Sequence, residues 1–173
     1  MTTSNGEQEA TRLEQAVNAY IERMEHVPNE LLEVPPAPGE WTLKELSAHC
    51  AEIYSYWAHQ IAELRQVPGQ PFGRTASDPE RIAYVADHKH DPLPELIARI
   101  RLGADQAAAA LRSYTDSEWR TVTGIHSARG EMDMDFISDL MIAGHAEEHL
   151  KQLNETLAQI RGQGAGGRAE AQR

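Results

Sequence analysis

Two histidines four residues apart, His145 and His149, stand in one amphipathic stretch towards the end of the chain, and a third, His49, lies in an earlier one. Helical rotation of about 100° per residue makes positions i and i+4 neighbours on one face, so two imidazoles at this spacing can reach one ion. A third nitrogen must then arrive from another element. Three neutral imidazoles suit Zn²⁺, Ni²⁺ or Fe²⁺, whereas Mg²⁺ and Ca²⁺ prefer oxygen. Three protein ligands also leave positions open for water or substrate, the pattern of a catalytic rather than a purely structural metal site. The competing reading is ordinary core packing, with each imidazole satisfied by a backbone or carboxylate partner. Burying His145 beside His149 weighs against it, because both nitrogens of each ring then need partners and a shared cation satisfies one on each ring.

Other groups could support or rival this site. Glu45 and Glu52, at i−4 and i+3 from His49, lie on its outer side, where they are either acceptors for its free N–H or solvated helix charges. His145-Ala146-Glu147-Glu148-His149 matches H-x-x-E-H, the inverted zinc-peptidase pattern in which the glutamate is the general base. Five residues are a weak signature and the chain is short for that class, but Glu148 stays a candidate proton acceptor near bound water. His88 and His90 belong with a solvated loop, His26 and His59 lack convergent partners, and His126 is expected at the surface of a glycine-containing turn. Cys50 is adjacent to His49, but neighbouring helix positions diverge by about 100°, so it reads as a small core residue.

These side chains need helices to position them, and helical periodicity dominates the chain. Leu13, Val17, Tyr20, Ile21 and Met24 define a first helix over roughly residues 7–27, ended by Pro28. A proline-rich link, Val34 to Gly39, precedes a second helix beginning near Trp41-Thr42, where Thr42 and Glu45 have capping-box spacing. Its stripe is Leu46, Cys50, Ile53, Trp57, Ile61 and Leu64, and His49 lies about 60° from the stripe's centre. Residues 67–91 carry Pro68, Gly69, Pro71, Gly73 and Pro79 and form a long connection, with one short helix over residues 79–88. A third helix covers about 92–115, with alanines that permit close helix approach. Thr121 to Gly130 reads as an extended turn. The fourth helix, about Asp133 to Ile160, places Met134, Met141, Ile142, His145, His149, Leu153, Thr156 and Ile160 on one side.

The fold expected is therefore all-α, a four-helix bundle with a long connection between its second and third helices, over residues 1–161. Residues 162–173, rich in Gly, Ala and Gln, read as a disordered tail. At 173 residues the chain suits one domain, and 40% hydrophobic with 25% charged residues suits a packed, soluble one. A net charge of −11 without a dense Lys/Arg run disfavours nucleic acid and anionic lipid as partners. The polar residues 1–9 and the lack of a long apolar run point to a cytoplasmic protein without a membrane span. A single cysteine excludes an intrachain disulfide and a Cys-rich zinc cluster, so nitrogen and oxygen would have to hold a metal.

Two segments carry a family resemblance. Trp41-Thr42-Leu43-Lys44-Glu45-Leu46-Ser47-Ala48-His49 and Gly144-His145-Ala146-Glu147-Glu148-His149-Leu150-Lys151-Gln152-Leu153 together resemble the DinB-like family, with its Trp-led second helix and its final-helix H-x-x-x-H segment. The resemblance spans roughly residues 10–160 and maps the family's ligands onto His49, His145 and His149. It implies a bundle, often a homodimer, holding a divalent transition metal (Zn, Ni or Fe) that faces an open pocket. It also implies a function among relatives that include bacillithiol S-transferases and a mycothiol-dependent isomerase. Three hypotheses follow. The first is a metal-dependent thiol S-transferase using a low-molecular-weight thiol and an electrophile. The second is a metal-dependent hydrolase with metal-bound water and Glu148 or Glu52 as base. The third is a non-catalytic stress-response bundle stabilised by its metal.

Overall fold

Polar side chains one residue ahead of the apolar runs set where most helices begin. In the computed structural model, which describes the backbone of residues 3–170 and side chains through Gln163, Ser4 caps α1 (Asn5–Glu25). Thr42 caps α2 (Leu43–Gln66) in the reciprocal arrangement expected: the Glu45 N–H donates to Thr42 Oγ1 at 3.1 Å and the Thr42 N–H to Glu45 Oε2 at 2.9 Å. Asp78 followed by Pro79 starts α3 (Pro79–His88), matching the short helix expected in the long connection. Next come α4 (Leu93–Arg112) and a short α5 (Asp116–Thr121), which Thr115 and Glu118 cap with a second reciprocal pair.

The long helices α1, α2 and α4 and the final α7 (Ala143–Glu170) make the bundle. α4 packs between α1 and α2, while α7 lies against α1 and closes on α2. The apolar stripes meet in one core, including Leu13, Tyr20, Met24, Leu46, Ile61, Leu96, Ile100, Leu111 and Leu153, all essentially inaccessible. Buried Ala104, Ala107 and Ala108 allow α4 to approach its neighbours closely. At the rim, Arg12 of α1 pairs with Glu147 of α7 at 2.6 Å and with Asp139 at 2.8 Å, while Arg112 of α4 reaches Glu7 and Glu14 of α1. No described helix is long and apolar enough to cross a membrane.

Three features differ from the sequence expectation. The extended turn is a hairpin of β2 (Thr123–His126) and β3 (Gly130–Asp133), with Ile125 opposite Glu131. β1 (Pro71–Phe72) adds in parallel to β2, pairing Phe72 with His126. Strands of two to four residues carry too little alternation to stand out in a sequence. Second, the last helix is not uniform. A four-residue α6 (Met134–Ile137) leads into a π-helical turn, Ser138–Ile142, where the Ala143 N–H bonds the Ser138 carbonyl before α7 begins. Third, helical backbone continues to Glu170 through most of the segment expected to be a disordered tail. No proline stops it there, although Gly162, Gly164, Gly166 and Gly167 each disfavour helix by about 1 kcal/mol relative to Ala. Residues 171–173 of that segment lie outside those described.

Candidate metal centre

The π turn bears on where the histidine pair of α7 faces. It inserts one extra residue into the helical ladder just ahead of Gly144, and π turns of this kind recur at functional sites. Gly144 makes room for it: a Cβ there would lie 2.0 Å from the Asp139 carbonyl oxygen. Arg12 holds Asp139 from outside, and Ser138 Oγ donates to Glu9 Oε2 at 2.8 Å. Beyond the turn, His145 and His149 follow on the inner side of α7, with ring centroids 4.2 Å apart.

His49 comes from α2, where the cap at Thr42 fixes the helix start seven positions earlier, about two turns away. Its ring lies 5.0 Å from that of His149 and 6.0 Å from that of His145, with Trp41 packed against it at 5.3 Å. One ligand atom from each of the three histidines lies within 4.8 Å of the others. Imidazole nitrogens tetrahedrally bound at about 2.1 Å from one zinc lie about 3.4 Å apart, so small ring rotations suffice.

The polar atoms fit that use. Among the described residues, His49 Nδ1 and His149 Nε2 are buried without any hydrogen-bond partner. An unpaired buried polar atom costs about 1–3 kcal/mol, and two within one histidine cluster mark a place for an acceptor of lone pairs. The other His149 nitrogen, Nδ1, lies 3.2 Å from Gln152 Oε1; an Nδ1–H donating there leaves Nε2 as the free lone pair. Burial, then the neighbouring His149, then Arg81 hold His49 far down, to about 2. Burial and His145 hold His149 down to about 3, and burial with Arg81 lowers His145. All three rings are therefore neutral at pH 7, the protonation state a metal ligand requires. The donor set is all nitrogen, so these residues fit a divalent transition ion.

One side of the cluster is open. His49 and His145 line a cavity of about 520 Å³, with His149 set behind them. Ile53, Trp57, Leu140 and Met141 give it apolar walls, and Arg74, Arg81 and Arg129 line it as well. The π turn supplies Leu140 and Met141, so the same distortion that precedes His145 shapes the chamber.

The supporting residues are placed less as expected. Glu148 is largely exposed, 3.7 Å from Lys151, and does not line the cavity. It lies about 80° from the bisector of His145 and His149 on the helix, enough to carry it outside. Glu45 is used in the α2 cap and reaches Lys89, while Glu52 pairs with Arg74, so neither accepts from His49. His126 corrects the expectation of a surface histidine. It is buried, takes the Ala128 N–H on Nδ1 at 3.2 Å, and sets Nε2 3.2 Å from the Arg74 carbonyl, joining the hairpin to the long connection. Gly73, at a φ of 73°, is needed beside it, since a Cβ would meet the His126 ring at 2.7 Å. His59 and His90 are exposed, His26 bonds its own helix, and His88 bonds Asp91 at 2.8 Å. Cys50 is fully buried, as expected of a core residue. The three cavity arginines were not singled out from the sequence, because they come from three separated positions with no shared spacing.

Known proteins resemble this fold. The family model of the DinB superfamily matches residues 12–153. No curated protein matches the chain. YfiT from Bacillus subtilis, described as a probable metal-dependent hydrolase with an unusual four-helix bundle topology, superposes with a TM-score of 0.72 at 15% identity, over 91% of this chain and 90% of that one. TT2238, a four-helix bundle protein, gives 0.64 at 18% identity, over 87% and 99%. The mycothiol-dependent maleylpyruvate isomerase gives 0.64 at 15%, over 87% of this chain but only 60% of its own length. At these identities the likeness establishes the four-helix bundle.

Proposed function

The chain belongs to the DinB superfamily, and we propose that it is a metal-dependent enzyme that activates a low-molecular-weight thiol, with His49, His145 and His149 as its metal ligands. The observation that carries this reading is the pairing of two partnerless buried imidazole nitrogens with a cavity open on one side of the same cluster. A bound divalent ion would supply Lewis acidity that lowers the pKa of a thiol brought to it. The chain's own residues do the rest. Gln152 fixes the His149 ring so that Nε2 faces inward, Trp41 packs the His49 ring in place, and Ile53, Trp57, Leu140 and Met141 keep bulk water from the reacting groups.

Thiol chemistry is favoured over hydrolysis by the lining. Among the described residues no aspartate or glutamate lines the cavity to take a proton from bound water, so a hydrolase here would rely on the ion alone to activate water. A thiol, whose own pKa is about 8.5, asks less of the same ion than water does. Cys50 cannot supply the sulfur, since burial pushes its thiol up to about 12. The thiol must come from solution. The isomerase neighbour, whose own name makes it mycothiol-dependent, supports this reading. The hydrolase description of YfiT supports the alternative, a metal-dependent hydrolase.

The test is conjugation of a fluorogenic electrophile, monochlorobimane, with cysteine, glutathione, bacillithiol and mycothiol, comparing metal-loaded with chelated protein. Metal-dependent conjugation with at least one thiol, lost in His149→Ala, is expected. Metal-dependent ester hydrolysis without thiol, and no conjugation, would replace this reading with the hydrolase. Sedimentation of the same protein tests the proposed homodimer.

A further inference from the structure

In a chain with 27 acidic and 16 basic residues, the charged side chains lining the metal-site cavity are all arginines: Arg74, Arg81 and Arg129. We infer that these three form an anion subsite, and that the small molecule entering the cavity carries a carboxylate on an apolar body. The inference rests on the proposed use of this cavity for a small substrate and names the substrate's class.

Each arginine is placed differently. Arg74 is more than nine-tenths buried, stacked 3.9 Å over the Tyr56 ring, and its Nε is buried without a partner. Glu52 pairs with it and Asp78 Oδ1 lies 3.6 Å from Nη1. Arg81 lies 5.0 Å over the Trp41 ring and donates from Nη1 to the Ala76 carbonyl at 2.8 Å. Among the described residues no carboxylate lies within salt-bridge distance of Arg81, nor of Arg129, which is exposed in the β2–β3 turn.

Arg81, half-buried and without a carboxylate partner among the described residues, lines the same cavity as His49 and His145, so its charge opposes any cation bound there, and in a low-dielectric cleft that repulsion is weakly screened. The arrangement is favourable when an anion lies between them. In the metal-free cavity, three arginines against Glu52 and Asp78 leave one positive charge uncompensated, which matches a carboxylate rather than a phosphate dianion. Guanidinium groups bind carboxylates through paired N–H donors. The apolar walls, Ile53, Trp57, Leu140 and Met141, take the organic body, and about 520 Å³ suits a small molecule.

Binding of benzoate, benzamide and phenyl phosphate to the full chain, followed by calorimetry with and without chelator, tests this apart from any turnover. A protein that fails the thiol assay can still pass here. Benzoate is expected to bind at least tenfold more tightly than benzamide in the chelated protein. That preference should fall about tenfold in Arg81→Gln, with metal content unchanged. Arg129→Gln, at an exposed turn where refolding is not at issue, should reduce it about threefold. Equal affinity for benzoate and benzamide, a preference unaltered in both variants, or a preference seen only with metal bound would overturn the subsite. Tighter binding of phenyl phosphate than benzoate would overturn the choice of carboxylate.

Discussion

Lowering the pH from 7 to 5 should destabilise the metal-free protein through two particular side chains, His49 and His149. In the folded chain burial, helped by His149 acting on His49 and His145 acting on His149, holds them down to about 2 and about 3, whereas in the unfolded chain both sit near 6.5. Between pH 7 and 5 the unfolded state therefore takes up protons that the native state refuses. Stability is full above the unfolded pKa and falls as pH drops below it, down towards the folded value. Integrated over this window the loss is about 2 kcal/mol per ring and about 4 kcal/mol for both, a large share of the roughly 5–15 kcal/mol that holds a domain together. Carboxylates held low by their partners, such as Glu118 beside Thr115 and Arg65, release their contribution mainly at lower pH, so the window isolates imidazoles. Urea unfolding at both pH values, in the chelated wild type and in His49→Gln/His149→Gln, measures the difference. The wild type should lose about 4 kcal/mol more than the double variant. Equal pH dependence in the two proteins would show that these rings are not held neutral by the fold, and the reasoning from their burial would fail.

The remaining expectations are local. Gly144→Ala puts a methyl group 2.0 Å from the Asp139 carbonyl oxygen, so the π turn must open; a loss of about 1–3 kcal/mol is expected, with weaker metal binding at the adjacent His145. Thermal unfolding and a metal titration check both, and a variant unchanged in each would show that the turn does not position the ligands. Cys50, fully buried with its thiol raised to about 12, should not react with Ellman's reagent at pH 8 until urea is added. Rapid labelling of the native protein would reopen it as the nucleophile.

Much of this was legible because it is written locally. Thr42 and Glu45 announce the start of α2 three residues apart, and the i, i+4 spacing of His145 and His149 survives whatever surrounds it, so helices and ligand pair could both be read from periodicity. Contributions assembled from distant segments could not. The sheet joins Phe72 to His126 across more than fifty residues with strands too short to alternate. His126 looked like a turn residue because its burial depends on Gly73 and the Arg74 carbonyl. The arginine wall draws on a strand-following loop, the first turn of α3 and the hairpin, and no spacing links them. The π turn left only Gly144 as a trace, and a glycine inside a helical pattern has many explanations. Glu148 shows the opposite limit: the H-x-x-E-H match made it a candidate base, but its position on the helix leaves it in solvent beside Lys151.

The central claim is that His49, His145 and His149 hold one divalent transition ion. Metal analysis of protein purified without an affinity tag, joined to an anomalous difference map, tests it most directly. One ion per chain, with its anomalous peak within about 2.0–2.3 Å of a nitrogen from each of the three rings, and no ion in His145→Ala/His149→Ala, is the expected result. Full metal content in that double variant, or a peak elsewhere in the chain, would contradict it.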